Sequence, residues 1–380
     1  MTKKKILLFI DWFLPGYRAG GPIQSCSNLI EHLKDEFDFS VITRDTDYMS
    51  AIPYAGIKSN EWNILPNGIR VFYFSEKKVS MQAIRKLLQQ EEYDMVYLNG
   101  IFSFYFTLYP LFYFNRKKDK KIIVASRGML AQSALSVKRT KKFFFLEAIK
   151  ILKLFDKVLF HVTNNQEEQD VRKVFRNVNI HIASNLPQKN HIREWQARDK
   201  NGGSVRLVSI ARIAPEKNTK YALEVLLKLK CNVEFDLFGP VYDEKYWDEC
   251  NLLIKQMPEN IKVYYKGSLK SEEVLTTLSN YHFMFMPTTG ENFGHIILQS
   301  MNAAVPVIIS DQTMWKDLQS KNAGWDLPLS SPKGFCSVID RCSLMGREEY
   351  NKISKEAFNF SLSVINNEKS IKQNRELFLK

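Results

Sequence analysis

Short apolar runs alternate with amphipathic stretches along nearly the whole chain, and this alternation restricts the fold more than any other feature of the sequence. Residues 4–10, 37–43, 69–74, 94–98, 122–126, 158–163 and 178–183 read as strands, with helical spacing at 23–33, 81–90, 141–154 and 166–175. Parallel strands need long crossovers, usually helical, and when covered on both faces they become continuous apolar runs. The pattern stops in a polar, aperiodic loop, SNLPQKNHIREWQARDKNGGS, which contains Gly202 and Gly203. It restarts with strands at 205–211, 233–238, 261–265, 282–286 and 305–310, and helices at 221–229, 243–256 and 272–279. A chain of 380 residues is long enough for two such cores. The sequence therefore predicts an α/β protein of two doubly wound, Rossmann-like domains facing a central cleft. Residues 1–190 form the first domain, 191–204 a linker, 205–349 the second domain, and 350–380 helices that pack back on the first.

Composition removes several classes. With 45% hydrophobic and 25% charged residues the chain is that of a soluble globular protein. The apolar stretch IFSFYFTLYPLFYF at 101–114 is shorter than the roughly 18–20 residues that span a bilayer, and it holds Ser103, Thr107 and Pro110. The N-terminal MTKKKILLFIDW is basic then apolar, but Asp11 interrupts it and no small-residue cleavage site follows, so it reads as a first strand. The five cysteines, Cys26, Cys231, Cys250, Cys336 and Cys342, are scattered with no CxxC pair. That spacing argues against a disulfide framework or zinc site and for a reducing cytosol.

The net charge of +13 is uneven, since residues 101–160 alone hold 13 Lys and Arg against 3 Asp and Glu. In this window basic residues flank aromatic and aliphatic ones, as in VKRTKKFFFLEAIKILKLFDK. Such a mixture suits an anionic membrane surface. A solvated basic helix with an apolar core face has the same composition, and no nucleic-acid module accompanies the patch.

Open α/β sheets bind ligands at the carboxyl ends of their strands, which directs attention to three loops. The first strand runs into FLPGYRAGGP, where Gly20 and Gly21 precede a helix. Glycines there admit an anion to backbone N–H groups, or simply make a tight turn; the spacing is not G-x-G-x-x-G. Strand 205–211 runs into ARIAPEKN, whose Arg212 and Lys217 lie where a forked donor and a point charge can grip a diphosphate, or remain solvated. Strand 282–286 leads to TTGENFGHIILQS, where Gly290 and Gly294 permit close backbone approach to a helix start. Glu291 suits hydroxyl groups, because a carboxylate accepts hydrogen bonds and repels phosphate, or it is an exposed acid favoured by the helix N-terminus.

Together the Gly-Gly loop, ARIAPEKN, ENFG and the following VPVIISD resemble the retaining glycosyltransferases of family 4, which have the GT-B architecture. The resemblance implies that 1–190 is the acceptor-binding domain and 205–349 the nucleotide-sugar-binding domain. It implies that Arg212 and Lys217 hold the diphosphate of a nucleotide-sugar donor, with Gly20 and Gly21 also in the donor site. It further implies that Glu291 contacts the donor sugar while the backbone of Asn292, Phe293 and Gly294 faces sugar and phosphate. The family's second Glu, eight residues on, contacts the ribose, and here Gln299 takes its place without the charge. Where many members carry a His before Gly near the reacting sugar, this chain has SRGML, so Arg127 would stabilise the departing phosphate and cannot act as a general base. Asn99 likewise stands where some relatives carry His.

The implied activity is transfer of a hexose-type sugar, with retention, from a nucleotide-diphosphate sugar to a hydroxyl of a lipid-linked glycan acceptor in polysaccharide, capsule or O-antigen synthesis. The catalytic set is Arg127, Arg212, Lys217 and Glu291, with no metal and no cofactor beyond the donor substrate. Asp45 and Asp47 form a D-x-D, but on the wrong topology for the metal-binding motif of other glycosyltransferases, and His161 reads as a packed or hydrogen-bonded histidine. The expected location is cytoplasmic, peripheral on the inner face of the membrane through residues 101–160. A GT-B epimerase or a non-catalytic nucleotide-sugar-binding subunit are the alternatives.

Overall fold

The computed structural model describes residues 2–90, 92–117, 120–136, 139–189 and 194–379. It contains two compact units: Met1–Lys189 with Asn367–Lys380, and Asn190–Asn366. Among the described residues unit 1 has eight strands, β1 (Lys4–Phe9), β2 (Phe37–Arg44), β3 (Trp62–Ile64), β4 (Arg70–Phe74), β5 (Met95–Asn99), β6 (Lys121–Ala125), β7 (Leu159–Val162) and β8 (Asn179–Ile182). They lie in the order β3-β4-β2-β1-β5-β6-β7-β8, and only the β3–β4 pair is antiparallel. Side chains alternate across the sheet, as a period of two requires. Leu7, Phe9, Val96, Leu98 and Val124 enter one core, while Ile6, Leu8, Val41, Tyr97 and Ile123 enter the other. Both faces are therefore buried, which explains why these strands read as unbroken apolar runs.

Unit 2 repeats the scheme with β9 (Ser204–Ile210), β10 (Asn232–Phe238), β11 (Ile261–Tyr265), β12 (Phe283–Met286), β13 (Val307–Ser310) and β14 (Gly324–Leu327). These six are all parallel, in the order β11-β10-β9-β12-β13-β14. The edge strands β3 and β14 were not expected from the sequence. The first has three residues, and the second is GWDL, with neither an apolar run nor clean alternation. Gly324 pairs with Val307 at φ 144°, and any Cβ there would collide with the Val307 backbone. Among the described residues no helix is long and apolar enough to cross a membrane.

Two expected segments fall differently. The linker proposed for 191–204 begins outside the described residues, and from Glu194 onward it belongs to unit 2. Arg198 donates to Ala304 O, Tyr350 Oη, Ser279 O and Tyr281 O, while the 3%-exposed Lys200 donates to Ser204 O, Ser343 O and Met345 O. Polar composition therefore marks a surface-threading strap here. The C-terminal helices expected to pack together on the first domain are divided between the units. Helix Arg347–Ile365 puts Ala357 and Tyr350 into the unit 2 cores, and only helix Glu368–Leu379 joins unit 1, through Leu377 and Phe378.

Arg198→Ala removes a charged donor from four oxygens, at a cost of about 2 kcal/mol. The melting midpoint of unit 2 should fall by about 4–8 °C in differential scanning calorimetry, and an unchanged midpoint would contradict the strap.

Candidate functional site

Strand order in unit 2 reverses at β9, which has β10 on one side and β12 on the other. Loops leaving neighbouring strands at such a reversal diverge and open a ligand crevice at the carboxyl edge. After β9, Ile213 bridges to Val241, a tight 3-10 turn covers Pro215–Lys217, and Asn218 adopts left-handed backbone at φ 60°. Asn tolerates that conformation, and its Nδ2 donates to Pro287 O just beyond β12 (2.9 Å). Glu216 O accepts from Thr289 N (3.0 Å), Thr288 Oγ1 (2.9 Å) and Thr289 Oγ1 (3.1 Å). The loop after β13 joins through Ser310 Oγ donating to Thr288 O (2.5 Å) and Glu291 N donating to Gln312 O (3.2 Å).

This stitching brings Lys217 and Glu291 into contact, Nζ to Oε2 at 2.5 Å, with side chains 14% and 19% exposed. Arg212 lies 3.2 Å from Glu216 and 4.8 Å above the Tyr242 ring. Each predicted cation is thus matched by a carboxylate. A diphosphate, with more charge than one carboxylate, can draw both cations away from these partners.

Gly294 caps helix His295–Asn302 at φ 74° with no side-chain cap. A Cβ there would lie 2.8 Å from Ile297 Cδ1 and 2.9 Å from Glu291 Cγ, so both backbone and space require glycine. Asn292 precedes it, half-buried. Phe293 is buried between Trp315 and His295, and its carbonyl accepts Trp315 Nε1 at 2.6 Å. Its carbonyl is therefore engaged within the protein. Gln299 stands on the same helix, and its buried Oε1 has no hydrogen-bond partner among the described residues. A carboxylate here would bring a buried charge, whereas the amide oxygen costs only a missing donor.

In unit 1 the glycine loop is built as a fixed turn. Asp47 accepts from Tyr17 N, Arg18 N and Tyr48 N, and Asp45 accepts from Ser59 Oγ. The D-x-D carboxylates thus hold loops, and among the described residues no group of three His, Cys, Asp or Glu side chains could share a metal. Gly20, at φ 72°, caps helix Gly21–Leu33, and a Cβ on either glycine would meet nothing within 4 Å.

Arg127 follows β6 with φ 51°, and its buried guanidinium turns into unit 1. It donates to Asn99 Oδ1 (2.8 Å), Asn185 Oδ1 and Tyr97 Oη (2.8 Å). Burial pushes the adjacent Cys26 thiol up to about 11, leaving it neutral beside the guanidinium. Tyr97 Oη in turn lies 2.7 Å from His161 Nδ1, and His161 Nε2 lies 2.8 Å from Ala183 O. Facing a carbonyl, Nε2 carries the proton, so Nδ1 accepts from Tyr97. Burial, then the Arg127 charge, pushes His161 down to about 3. The balancing carboxylate is Glu167, 3% exposed, which accepts from Ser126 Oγ, Gly128 N, Thr163 N and Thr163 Oγ1.

With this geometry established, residues 191–360 match the family model described as glycosyl transferases group 1. The protein is a glycosyltransferase. Its fold is similar to that of sucrose-phosphate synthase from Thermosynechococcus elongatus, at TM-score 0.76 and 14% identity, over 99% of this chain and 98% of that one. Anabaena HepE in complex with UDP-glucose gives TM-score 0.68 at 13% identity, over 98% of each chain. WaaG, a glycosyltransferase involved in lipopolysaccharide biosynthesis, gives 0.68 at 10% identity, over 99% of this chain and 100% of that one. At these identities the likeness is one of fold, the GT-B pairing of two Rossmann-like units. No curated protein matches the sequence.

The matched segment of the glycosyltransferase contains Arg212, Lys217, Glu291, Asn292, Phe293, Gly294 and Gln299, whereas Gly20, Gly21 and Arg127 lie outside it. Sequence reasoning missed Asn185, Tyr97 and Glu167 around Arg127, which come from a loop, a strand and a helix and share no motif. Glu167 had one local signal: it follows the N-cap Asn164 by three residues, the position of a capping acid.

His161 supplies a pH prediction for the glycosyltransferase. Its folded-state value, about 3, lies below the ordinary 6.5, so on acidification the unfolded chain takes up the proton first. Stability is complete above pH 6.5 and is lost as pH falls, by about 2 kcal/mol at pH 5. Urea melts of unit 1 should show this slope in the wild type and a flatter one in His161→Gln; equal slopes would contradict a buried neutral histidine.

Proposed function

We propose that the glycosyltransferase moves a hexose-type sugar, with its anomeric configuration retained, from a nucleotide-diphosphate sugar to a hydroxyl of a lipid-linked glycan. The observation that carries this reading is the Lys217–Glu291 contact at the β9/β12 reversal, which places a phosphate-binding cation beside a hydroxyl-binding carboxylate. The ribose hydroxyls have a natural acceptor in the unpartnered Gln299 Oε1. HepE holds UDP-glucose in its structure, which supports a nucleotide-diphosphate sugar as donor here.

Negative charge grows on the departing diphosphate as the glycosidic bond breaks. Arg212 and Lys217 stabilise that charge, so the reaction requires no divalent metal. The leaving phosphate accepts the proton of the attacking hydroxyl on the same face, which preserves the configuration. Gly20 and Gly21 leave the space beside the first loop of unit 1 clear.

The lipid-linked acceptor rests on helix Arg139–Ile151 and the turn after it. There Phe143, Phe144, Ile151 and Leu152 are exposed, Ile151 by 79%, among exposed Arg139, Lys141, Lys150 and Lys153. Phe144, Ala148, Ile151 and Leu152 follow helical spacing on one side, a face suited to anionic lipid. WaaG, of like fold, is involved in lipopolysaccharide biosynthesis, which agrees with a surface-polysaccharide role. The location that follows is the cytoplasmic face of the membrane.

Lys217→Ala should lower donor turnover at least about tenfold, with EDTA present throughout. Unchanged kinetics, or activity restored only by Mg²⁺ or Mn²⁺, would contradict the assignment. In flotation with phosphatidylglycerol vesicles at low salt the wild type should float and the double variant Phe143→Ser with Phe144→Ser should not. Equal flotation would place the lipid contact elsewhere.

A further inference from the structure

So far Trp315 has served only as a wall for Phe293, yet its indole nitrogen holds a peptide group of the ENFG turn. It comes from the loop after β13 and is 3% exposed. Its backbone N–H donates to Thr313 Oγ1 at 3.1 Å. Its ring meets Phe293 edge-on at 5.6 Å and Phe360 of helix Arg347–Ile365 at 6.2 Å. Further along the same loop, Asp326 of β14 accepts from Asp317 N (3.1 Å) and Leu318 N (2.8 Å). The indole is therefore fixed on several sides, and its Nε1–H donates to Phe293 O at 2.6 Å.

That hydrogen bond sets a peptide plane. The Phe293–Gly294 bond is trans, so its C=O and N–H point in opposite directions. With the carbonyl aimed at a buried indole, the Gly294 N–H is aimed away from it, and no acceptor among the described residues takes that N–H. A plane that precedes glycine is the easiest in a loop to turn over, because glycine takes positive and negative φ alike. Gly294, at φ 74°, opens helix His295–Asn302 and lies against the Glu291 side chain. Turned over, the plane would put a carbonyl oxygen, which repels phosphate, where the N–H now stands. It would also leave the buried indole N–H without its acceptor, a loss that opposes the flip.

We propose that Trp315 is a positioning residue of the glycosyltransferase. Its indole N–H holds the Phe293–Gly294 peptide so that Gly294 N–H donates to the sugar-bearing phosphate of the donor. The inference rests on the donor reading above and adds a residue outside ARIAPEKN and ENFG to it. Trp315 acts only through the peptide and touches no part of the donor. Lys217 brings charge to the same crevice. Charge attracts a phosphate from any side, whereas a fixed N–H orients one of its oxygens.

The test compares nucleotides that differ by that one phosphate. UDP, GDP, ADP and dTDP, each beside its monophosphate, are titrated by calorimetry into three forms of the full chain. One is the wild type and one is Trp315→Phe, which keeps a ring and loses the N–H. The third carries β-(3-benzothienyl)alanine in place of Trp315, which keeps both fused rings and has sulfur instead of N–H. The diphosphate that the wild type binds should bind both altered chains about tenfold more weakly, while its monophosphate binds all three equally. Equal diphosphate affinity in the wild type and the sulfur-containing chain overturns the proposal. So does equal weakening of diphosphate and monophosphate, which a loosened loop alone would give. If none of the four diphosphates binds the wild type, the donor reading falls and the role of Trp315 falls with it. Diphosphate binding without the selective loss removes Trp315 alone.

Discussion

In a parallel sheet every strand delivers its carboxyl end to the same edge, and where strand order reverses, the loops that leave must satisfy one another's backbone groups. In unit 2 three donors meet at one carbonyl, Glu216 O, which accepts one backbone and two hydroxyl hydrogen bonds from Thr288 and Thr289. The Lys217–Glu291 pair follows from that stitching and does not cause it. Its low exposure sets it apart from a solvated surface pair, whose worth is about 0–1 kcal/mol. Two charges withdrawn from water gain little net stability from each other, so the arrangement makes more sense as a site than as a brace.

Unit 1 applies the same edge rule with the opposite emphasis. Its buried cation, Arg127, is surrounded by neutral oxygens and a neutral thiol, and its carboxylate Glu167 is satisfied by donors from the loops after β6 and β7. The chain Arg127–Tyr97–His161–Ala183 O ties β5, β6, β7 and the segment after β8 into one network. The Arg127 guanidinium is turned inward, each of its nitrogens donating to Asn99, Asn185 or Tyr97.

Much of this was legible in the sequence, for a physical reason. Strands buried on both faces cannot hide among polar residues, so the inner strands of both sheets show as apolar runs. ARIAPEKN and ENFG show because a left-handed Asn218, a crowded Gly294 and paired charges each demand particular residues. What stayed hidden depends on partners remote in sequence. No local pattern separates Tyr350 and Ala357 from Leu377 and Phe378, and only packing sends the first pair to unit 2 and the second to unit 1. The direction of the Arg127 side chain depends on Asn99 and Asn185, and the 194–203 segment reads as a linker because its contacts go to backbone carbonyls, which no sequence pattern records.

The central claim, a nucleotide-diphosphate sugar held between Lys217 and Glu291, is tested most directly by a thermal-shift series with UDP-, GDP-, ADP- and dTDP-sugars. A ligand that binds only the folded state at about 100 times its dissociation constant adds about 2.7 kcal/mol. One nucleotide class should raise the unit 2 midpoint in the wild type and fail to do so in Glu291→Gln with Lys217→Met, a pair that removes both charges together. No shift with any donor, or the same shift in the double variant, would contradict the account.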